Sequence, residues 1–367
     1  MGIVVWVVAA GILVWVVLFW MGVASKKRYF FEPGYRQIHL VATPDGGTIS
    51  LYRYPPGRGK RPFPVILCHG LAANRFDFDL GQGVSLARTL QDHGYDVWAL
   101  ELRGRGKSRV PRAKGPSYYR SPCFFDDYVR QDAPAAISYV QRETGSSQVH
   151  WIGHSMGGMV LYGVLQGEWA REIASGVAVA SPCQVVFPYP IPFFSGLAPV
   201  LARLPALHFS FFSRSLAALL ARVRLPQMSS FLNPDNVEIS IIQRALCFLA
   251  SDVTRGEILQ FLRWTALGEL RSMDGSYSYS ENLQVIQSPL FLIAGTRDLL
   301  APPSSIEDVY QRISSKTKRI RILGKKNGQR KEYGHGDLLI GRDCPEEVFP
   351  AILEWLEAVD RTQDPGR

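Results

Sequence analysis

Trp151-Ile152-Gly153-His154-Ser155-Met156-Gly157-Gly158-Met159 decides how this chain is read. The stretch contains Gly-x-Ser-x-Gly, the pattern of a sharp strand-to-helix turn that presents a serine as a nucleophile. Its surroundings fit. Residues 148–152 form a short apolar run that predicts a strand, and residues 156–165 predict a helix. Gly153 and Gly157 are needed because the turn strains the serine and leaves no room for side chains two residues to either side. Ser155 is the expected nucleophile.

A serine hydroxyl is a poor nucleophile at neutral pH unless an imidazole takes its proton. The imidazole in turn needs a carboxylate to hold its tautomer. After such a turn the partners follow in the order Ser, then Asp or Glu, then His. Residues 289–294 predict a strand closed by Gly295-Thr296-Arg297-Asp298, which puts Asp298 at a strand end. A last strand at 318–323 and a basic loop at 324–333 lead to Gly334-His335-Gly336-Asp337. His335 is the only histidine after His208, so it is the expected base and Asp298 its carboxylate. His154 reads as packing around the turn.

Upstream, residues 36–41 and 48–54 predict two strands joined at Pro44-Asp45-Gly46-Gly47. Val65-Ile66-Leu67-Cys68 is a continuous apolar run, as expected for a strand buried on both faces. It ends at His69-Gly70-Leu71-Ala72, where backbone N–H groups can turn towards the nucleophile. The N–H groups of Leu71 and Met156 are the expected oxyanion donors. His69 reads as a residue kept for turn geometry. The loop 101–108 has glycines but no helix at Walker spacing after it, and is read as structural. Gly81-Gln82-Gly83 lacks the third glycine and the preceding strand of a dinucleotide loop. Helices are predicted at 85–93, 124–142 and 346–359, and further strands at 95–100 and 176–180. This alternation predicts an α/β fold with a mostly parallel central sheet and helices on both faces.

From 181 to 280 the alternation breaks. Pro182, Pro188, Pro190, Pro192, Pro199 and Pro205 punctuate a stretch rich in Phe and Leu, with helical segments at 211–223, 237–250 and 254–262. This predicts a helical lid inserted between two parts of the sheet domain, 30–180 and 281–367. The Phe193-Phe194 pair and the phenylalanines at 209–212 are open to two readings, core or a greasy surface for substrate or bilayer.

Residues 3–24 carry no charge and as a helix would span roughly 33 Å at about 1.5 Å per residue, enough to cross a bilayer. Trp6, Trp15, Trp20 and the Lys26-Lys27-Arg28 cluster are interface-type residues. With the basic side in the cytoplasm, the catalytic part would be cytoplasmic too. Export with cleavage near Gly22-Val23-Ala24 is the alternative. The net charge of +9 is spread over short clusters and fits either a solvated surface or attraction to anionic lipid. No nucleic-acid-binding module is visible, and no protein partner can be identified. The five cysteines are scattered and show neither disulfide-framework nor zinc spacing.

Four separated stretches carry a family resemblance: His69-Gly70-Leu71, Gly94-Tyr95-Asp96-Val97-Trp98, Gly153 to Gly157, and His335 followed by Asp337. From about residue 65 onward the chain resembles the α/β-hydrolase superfamily, and within it the acid lipase and carboxylesterase branch. Unlike secreted acid lipases it has no Asn-x-Ser/Thr site, and its 324–333 loop is longer. The resemblance implies hydrolysis of a carboxylic ester through an acyl-serine, without metal or organic cofactor. With the apolar lid and the membrane helix, it points to an acylglycerol or lysophospholipid. An acyltransferase using the same three residues is the rival within enzymes. A non-catalytic, membrane-anchored binding protein would tend to have lost one of the three, and all are present.

Overall fold

The computed structural model describes residues 2–57, 59–81, 83–111, 123–185, 203, 206–222 and 231–363. The expectations placed on Gln82, on the prolines from 188 to 205 and on Phe193-Phe194 lie outside the described residues.

In chain order the strands are β1 (Gln37–Ala42), β2 (Thr48–Tyr54), β3 (Val65–Cys68), β4 (Val97–Glu101), β5 (Val149–His154), β6 (Ile173–Val179), β7 (Ala206–Leu207), β8 (Val253–Thr254), β9 (Leu290–Gly295) and β10 (Lys318–Leu323). Among the described residues, eight of them form one sheet in the order β1-β2-β4-β3-β5-β6-β9-β10. β2 runs against both its neighbours, and every pairing from β4 to β10 is parallel. β3 to β6 and β9 are buried at every position, which is why they are near-continuous apolar runs. At the edge, β10 alternates Lys318, Arg319 and Arg321 with isoleucines, a charge pattern that blunts an open sheet edge. β6 starts three residues before the expected Gly176. That glycine lies inside the strand because a Cβ there would press on Leu161 of the covering helix and on Leu290.

Helices among the described residues include α1 (Gly2–Arg28), α2 (Leu86–Asp92), α3 (Ala133–Thr144), α4 (Met156–Leu165), α5 (Phe209–Ser215), α6 (Ala217–Leu220), α7 (Ile239–Arg244), α8 (Arg255–Leu267), α9 (Pro303–Arg312) and α10 (Phe349–Gln363). α2 starts where Ser85 Oγ accepts the Arg88 N–H at 3.1 Å. The segment expected as one helix from 124 is a short helical turn, a π turn at Tyr128–Asp132, and then α3. Among the described residues, four helices, α5 to α8, lie outside the sheet domain's alternation, between β6 and β9, and the expected helix at 211–223 is two pieces broken at Leu216. The same stretch also holds a β7–β8 antiparallel pair, which local periodicity did not show. α8 runs past residue 262 to Leu267, between a Thr254–Glu257 capping box and left-handed Gly268. The two ends of the stretch meet where Ser280 Oγ donates to the Cys183 carbonyl at 2.5 Å.

α1 is long and apolar enough to cross a membrane. Trp6, Trp15, Phe19 and Trp20 on it are exposed. Its C-terminal half packs against α5: the rings of Trp15 and Phe211 stack 6.0 Å apart, and Gly22 leaves room for Ser215. The loop after β4 is braced by buried ion pairs, Arg103 to Asp132 at 2.7 Å and Arg105 to Glu257 at 2.6 Å. All five cysteines are buried and free.

Candidate active site

β5 delivers Ser155 to the carboxyl edge of the sheet, and α4 begins at the next residue. Ser155 has φ 51° and ψ −118°, a region that side chains other than glycine rarely occupy. The turn is held in place sterically. A Cβ on Gly153 would overlap the backbone of Gly157 and Gly158, and a Cβ on Gly157 would overlap the Cys68 carbonyl. The Ser155 N–H donates to the Val179 carbonyl at 2.8 Å, which ties the turn to β6. Ser155 Oγ has no hydrogen-bond partner among the described residues.

The end of β3 lies against this serine: a Cβ on Gly70 would sit 3.1 Å from Ser155 Cβ. After Leu71 the chain reverses through Ala72, whose φ is 55°. Among the described residues, neither the Leu71 N–H nor the Met156 N–H has an acceptor, and the same holds for the Ala72 and Gly157 N–H groups that follow them. The Gly70 N–H reaches Asp77 Oδ2 at 3.1 Å, and the Gly158 N–H reaches the Ser155 carbonyl at 3.0 Å. Two unpaired amides beside a serine can accept a developing oxyanion. His69 is neutral, its pKa lowered by burial and by nearby Arg105. Its Nε2 accepts the Leu102 N–H at 3.3 Å, so Nδ1 carries the proton and donates to the Gly70 carbonyl at 2.8 Å. It shapes the turn.

Asp298 follows β9, and His335 lies in the loop after β10. The structure brings them together: Asp298 Oδ2 is 2.8 Å from His335 Nδ1, and both residues are buried. Asp298 Oδ1 accepts the N–H groups of Leu300 at 2.9 Å and Ala301 at 2.8 Å, so the carboxylate cannot rotate away. With Nδ1–H donating to Asp298, the free lone pair of His335 is on Nε2, the tautomer a general base requires. Asp337 secures the loop. Its buried carboxylate accepts the Gly334 N–H at 3.0 Å, the Asn233 N–H at 2.9 Å and an Asn236 amide hydrogen at 3.0 Å. The histidine loop is thereby clamped to the 231–236 segment.

Asp77 was missed at the sequence level. Its Oδ2 lies 2.7 Å from His154 Nδ1, while His154 Nε2 faces the His335 carbonyl at 3.3 Å. Both ring nitrogens of His154 face acceptors, an arrangement that favours the doubly protonated imidazolium. Burial, the largest single influence, lowers its pKa, but the charge and hydrogen bond of Asp77, with the His335 carbonyl and Asp298, together outweigh burial and raise it. Burial pushes Asp77 up, and His154 with the Gly70 N–H pulls it net down. One buried ion pair thus ties together the loop after β3, the turn at Ser155 and the histidine loop.

Because His154 is raised in the fold, its contribution is full below the free imidazole value and is lost as pH rises through the raised one. Because Asp77 is depressed, its contribution is present above the free carboxyl value and is lost as acid titrates it. His154→Gln is expected to lower stability by about 3–5 kcal/mol in mildly acidic solution, since it strands a buried carboxylate. The deficit should shrink as pH rises. Urea midpoints at pH 5, 7 and 9 check this, and an equal deficit at all three would rule out the imidazolium.

Among the described residues, no group of three or more His, Cys, Asp or Glu is placed to hold a metal ion.

A family model described as serine aminopeptidase, S33, matches residues 63–326. The gastric triacylglycerol lipase of Rattus norvegicus is 27% identical over 377 aligned residues, covering 92% of this chain and 91% of the lipase. Among solved structures, the Paleococcus ferrophilus monoacylglycerol lipase superposes with a TM-score of 0.57 at 20% identity, covering 84% of this chain and 99% of that one. A bacterial membrane phospholipase A superposes at 0.52 and 18% identity, over 97% of this chain and 96% of its own. Both structures have the same fold.

Proposed function

Because the chain belongs to the α/β-hydrolase family of the serine aminopeptidase S33 model, in its lipase and esterase branch, we propose that it is a membrane-anchored serine hydrolase cleaving carboxylic esters of lipids. The observation that carries this reading is the buried Asp298–His335 pair, whose histidine backbone is reached by His154 of the Ser155 turn, together with the strained Ser155 and amides without acceptors at Leu71 and Met156. In this mechanism Ser155 Oγ attacks the acyl carbonyl while His335 Nε2 takes its proton. The oxyanion is stabilised by the Leu71 and Met156 N–H groups. His335 then protonates the departing alcohol, and a water activated by the same nitrogen frees the acid from the acyl-serine.

The lipid part of the reading rests on three supports. α1 has the length and polarity of a span. The stretch at 181–280, which we take as the lid, exposes Phe209, Phe212, Leu219 and Phe231. The relative from Rattus norvegicus is named a triacylglycerol lipase. An acylglycerol or lysophospholipid fits such a surface. Lys26-Lys27-Arg28 at the end of α1 supports a cytoplasmic catalytic part by the positive-inside rule. An N-terminal mass measurement that finds the chain starting after Ala24 would replace the anchor with an exported enzyme.

Hydrolysis of p-nitrophenyl esters of two to sixteen carbons, measured beside Ser155→Ala, tests the proposal. Rates should rise with chain length and vanish in the variant. Activity on short chains alone would reduce the enzyme to a general carboxylesterase, and no turnover by folded protein would move acyl transfer to the front.

A further inference from the structure

Where the C-terminal end of α1 meets α5, a cavity of about 590 Å³ opens. Neither Ser155 nor His335 lines it. Its charged lining is Lys26, Arg75, Arg105 and Arg214 against Glu101 and Asp252. Both carboxylates are already engaged. Glu101 is paired with Arg75 and accepts from Ser50 Oγ at 3.1 Å. Asp252 accepts the Ser210 N–H at 3.0 Å and faces His208 at 3.1 Å.

The cations are not satisfied to the same degree. The Arg105 side chain is only 1% exposed and uses Nη2 on Glu257, yet its Nε and Nη1 hydrogens have no acceptor among the described residues. Arg75 Nε also lacks one, its guanidinium lying 4.1 Å from the ring centroids of both Tyr52 and Phe76. Arg214 reaches only the Cys247 carbonyl, at 3.4 Å, and neither it nor Lys26 has a carboxylate partner among the described residues. A buried guanidinium with orphaned N–H groups is unfavourable unless something supplies acceptors. Donors and cations of this kind are matched chemically by a compact anion with several acceptor oxygens.

We propose that the cavity is a phosphate-binding site, occupied by the phosphate of a phospholipid headgroup or by free phosphate. Guanidinium groups match phosphate oxygens in charge and geometry, and an ammonium adds a point charge. The position suits a headgroup. Lys26 is on the last turn of α1, at the depth where a spanning helix leaves the hydrocarbon for the polar lipid layer. Bound there, one phosphate bridges α1 through Lys26, α5 through Arg214, and the sheet domain through Arg75 and Arg105. The loop at 101–108, structural in its bracing, would then also present Arg105 to the ligand.

The test uses the full chain in detergent micelles, with Ser155→Ala so that no probe is consumed. Inorganic phosphate is titrated by calorimetry. Ether-linked dialkyl phosphatidic acid and dialkylglycerol, which has no phosphate, are compared by native mass spectrometry. At least one phosphate-bearing probe should bind at a single site, and dialkylglycerol should not compete for it. Binding of inorganic phosphate alone assigns a soluble anion, and binding of phosphatidic acid assigns a headgroup. The double variant Lys26→Gln/Arg214→Gln, which leaves the Arg105–Glu257 pair untouched, should weaken binding at least about ten-fold, as expected for losing two charged contacts. Arg105→Gln, checked for folding by near-UV circular dichroism, should weaken it further. No binding of either phosphate-bearing probe, equal binding by the double variant, or displacement by dialkylglycerol would overturn the proposal.

Discussion

Ser155→Ala is expected to lower kcat by about a million-fold, the scale seen when a serine nucleophile is removed from an intact site. KM should change little, because the substrate-binding surface is untouched. A second substitution separates chemistry from backbone. Ser155 stores strain at φ 51°, and alanine at the same position keeps it. Ser155→Gly removes the hydroxyl and the Cβ together, so it should be equally inactive yet more stable than wild type by about 1–3 kcal/mol. Kinetics on a p-nitrophenyl ester with a urea titration of all three proteins checks both halves. An active alanine variant would sink the serine mechanism. A glycine variant no more stable than alanine would mean that the turn is not strained.

Asp298→Asn is expected to lower kcat by about ten thousand-fold while leaving the fold intact. The shape of the side chain is preserved, and its oxygen can still accept the Leu300 and Ala301 N–H groups. What changes is the group facing His335 Nδ1, now 2.8 Å from a carboxylate oxygen. An amide NH2 there favours the tautomer with the proton on Nε2, so the nitrogen needed as a base no longer has a lone pair. No carboxylate then stabilises the imidazolium of the transition state. Steady-state kinetics with thermal unfolding of the same sample is the check. A loss below about ten-fold would show that another group orients the base.

The stretch at 151–159 was legible because its demands are local. The tight turn excludes side chains at Gly153 and Gly157, and the apolar periods on either side state strand and helix. The bounds of β2, β3, β10 and α4 came out as their patterns predicted. Elements whose limits are set by contacts came out less well. α8 is longer than its apolar spacing suggested because Gly268 stops it, and β6 hides a glycine that looked like a strand start. The two-residue strands β7 and β8 have no pattern of their own. They exist only because the chain brings positions 206 and 254 side by side.

The sequence by itself determined the fold class, and it named a serine, an aspartate and a histidine as candidates, of which Asp298 and His335 meet in the fold. Each announces itself through nearest neighbours: turn glycines, strand ends and the order in which catalytic partners follow an elbow. Only the tertiary structure decided what surrounds them. Asp77 and His154 are 77 residues apart, and the clamp from Asp337 to Asn233 spans 104. The cavity beside Lys26 draws its cations from four separate segments of the chain. The charge states and unpaired donors at these places follow from burial. Burial is a property of the packed chain, and no local stretch of residues contains it.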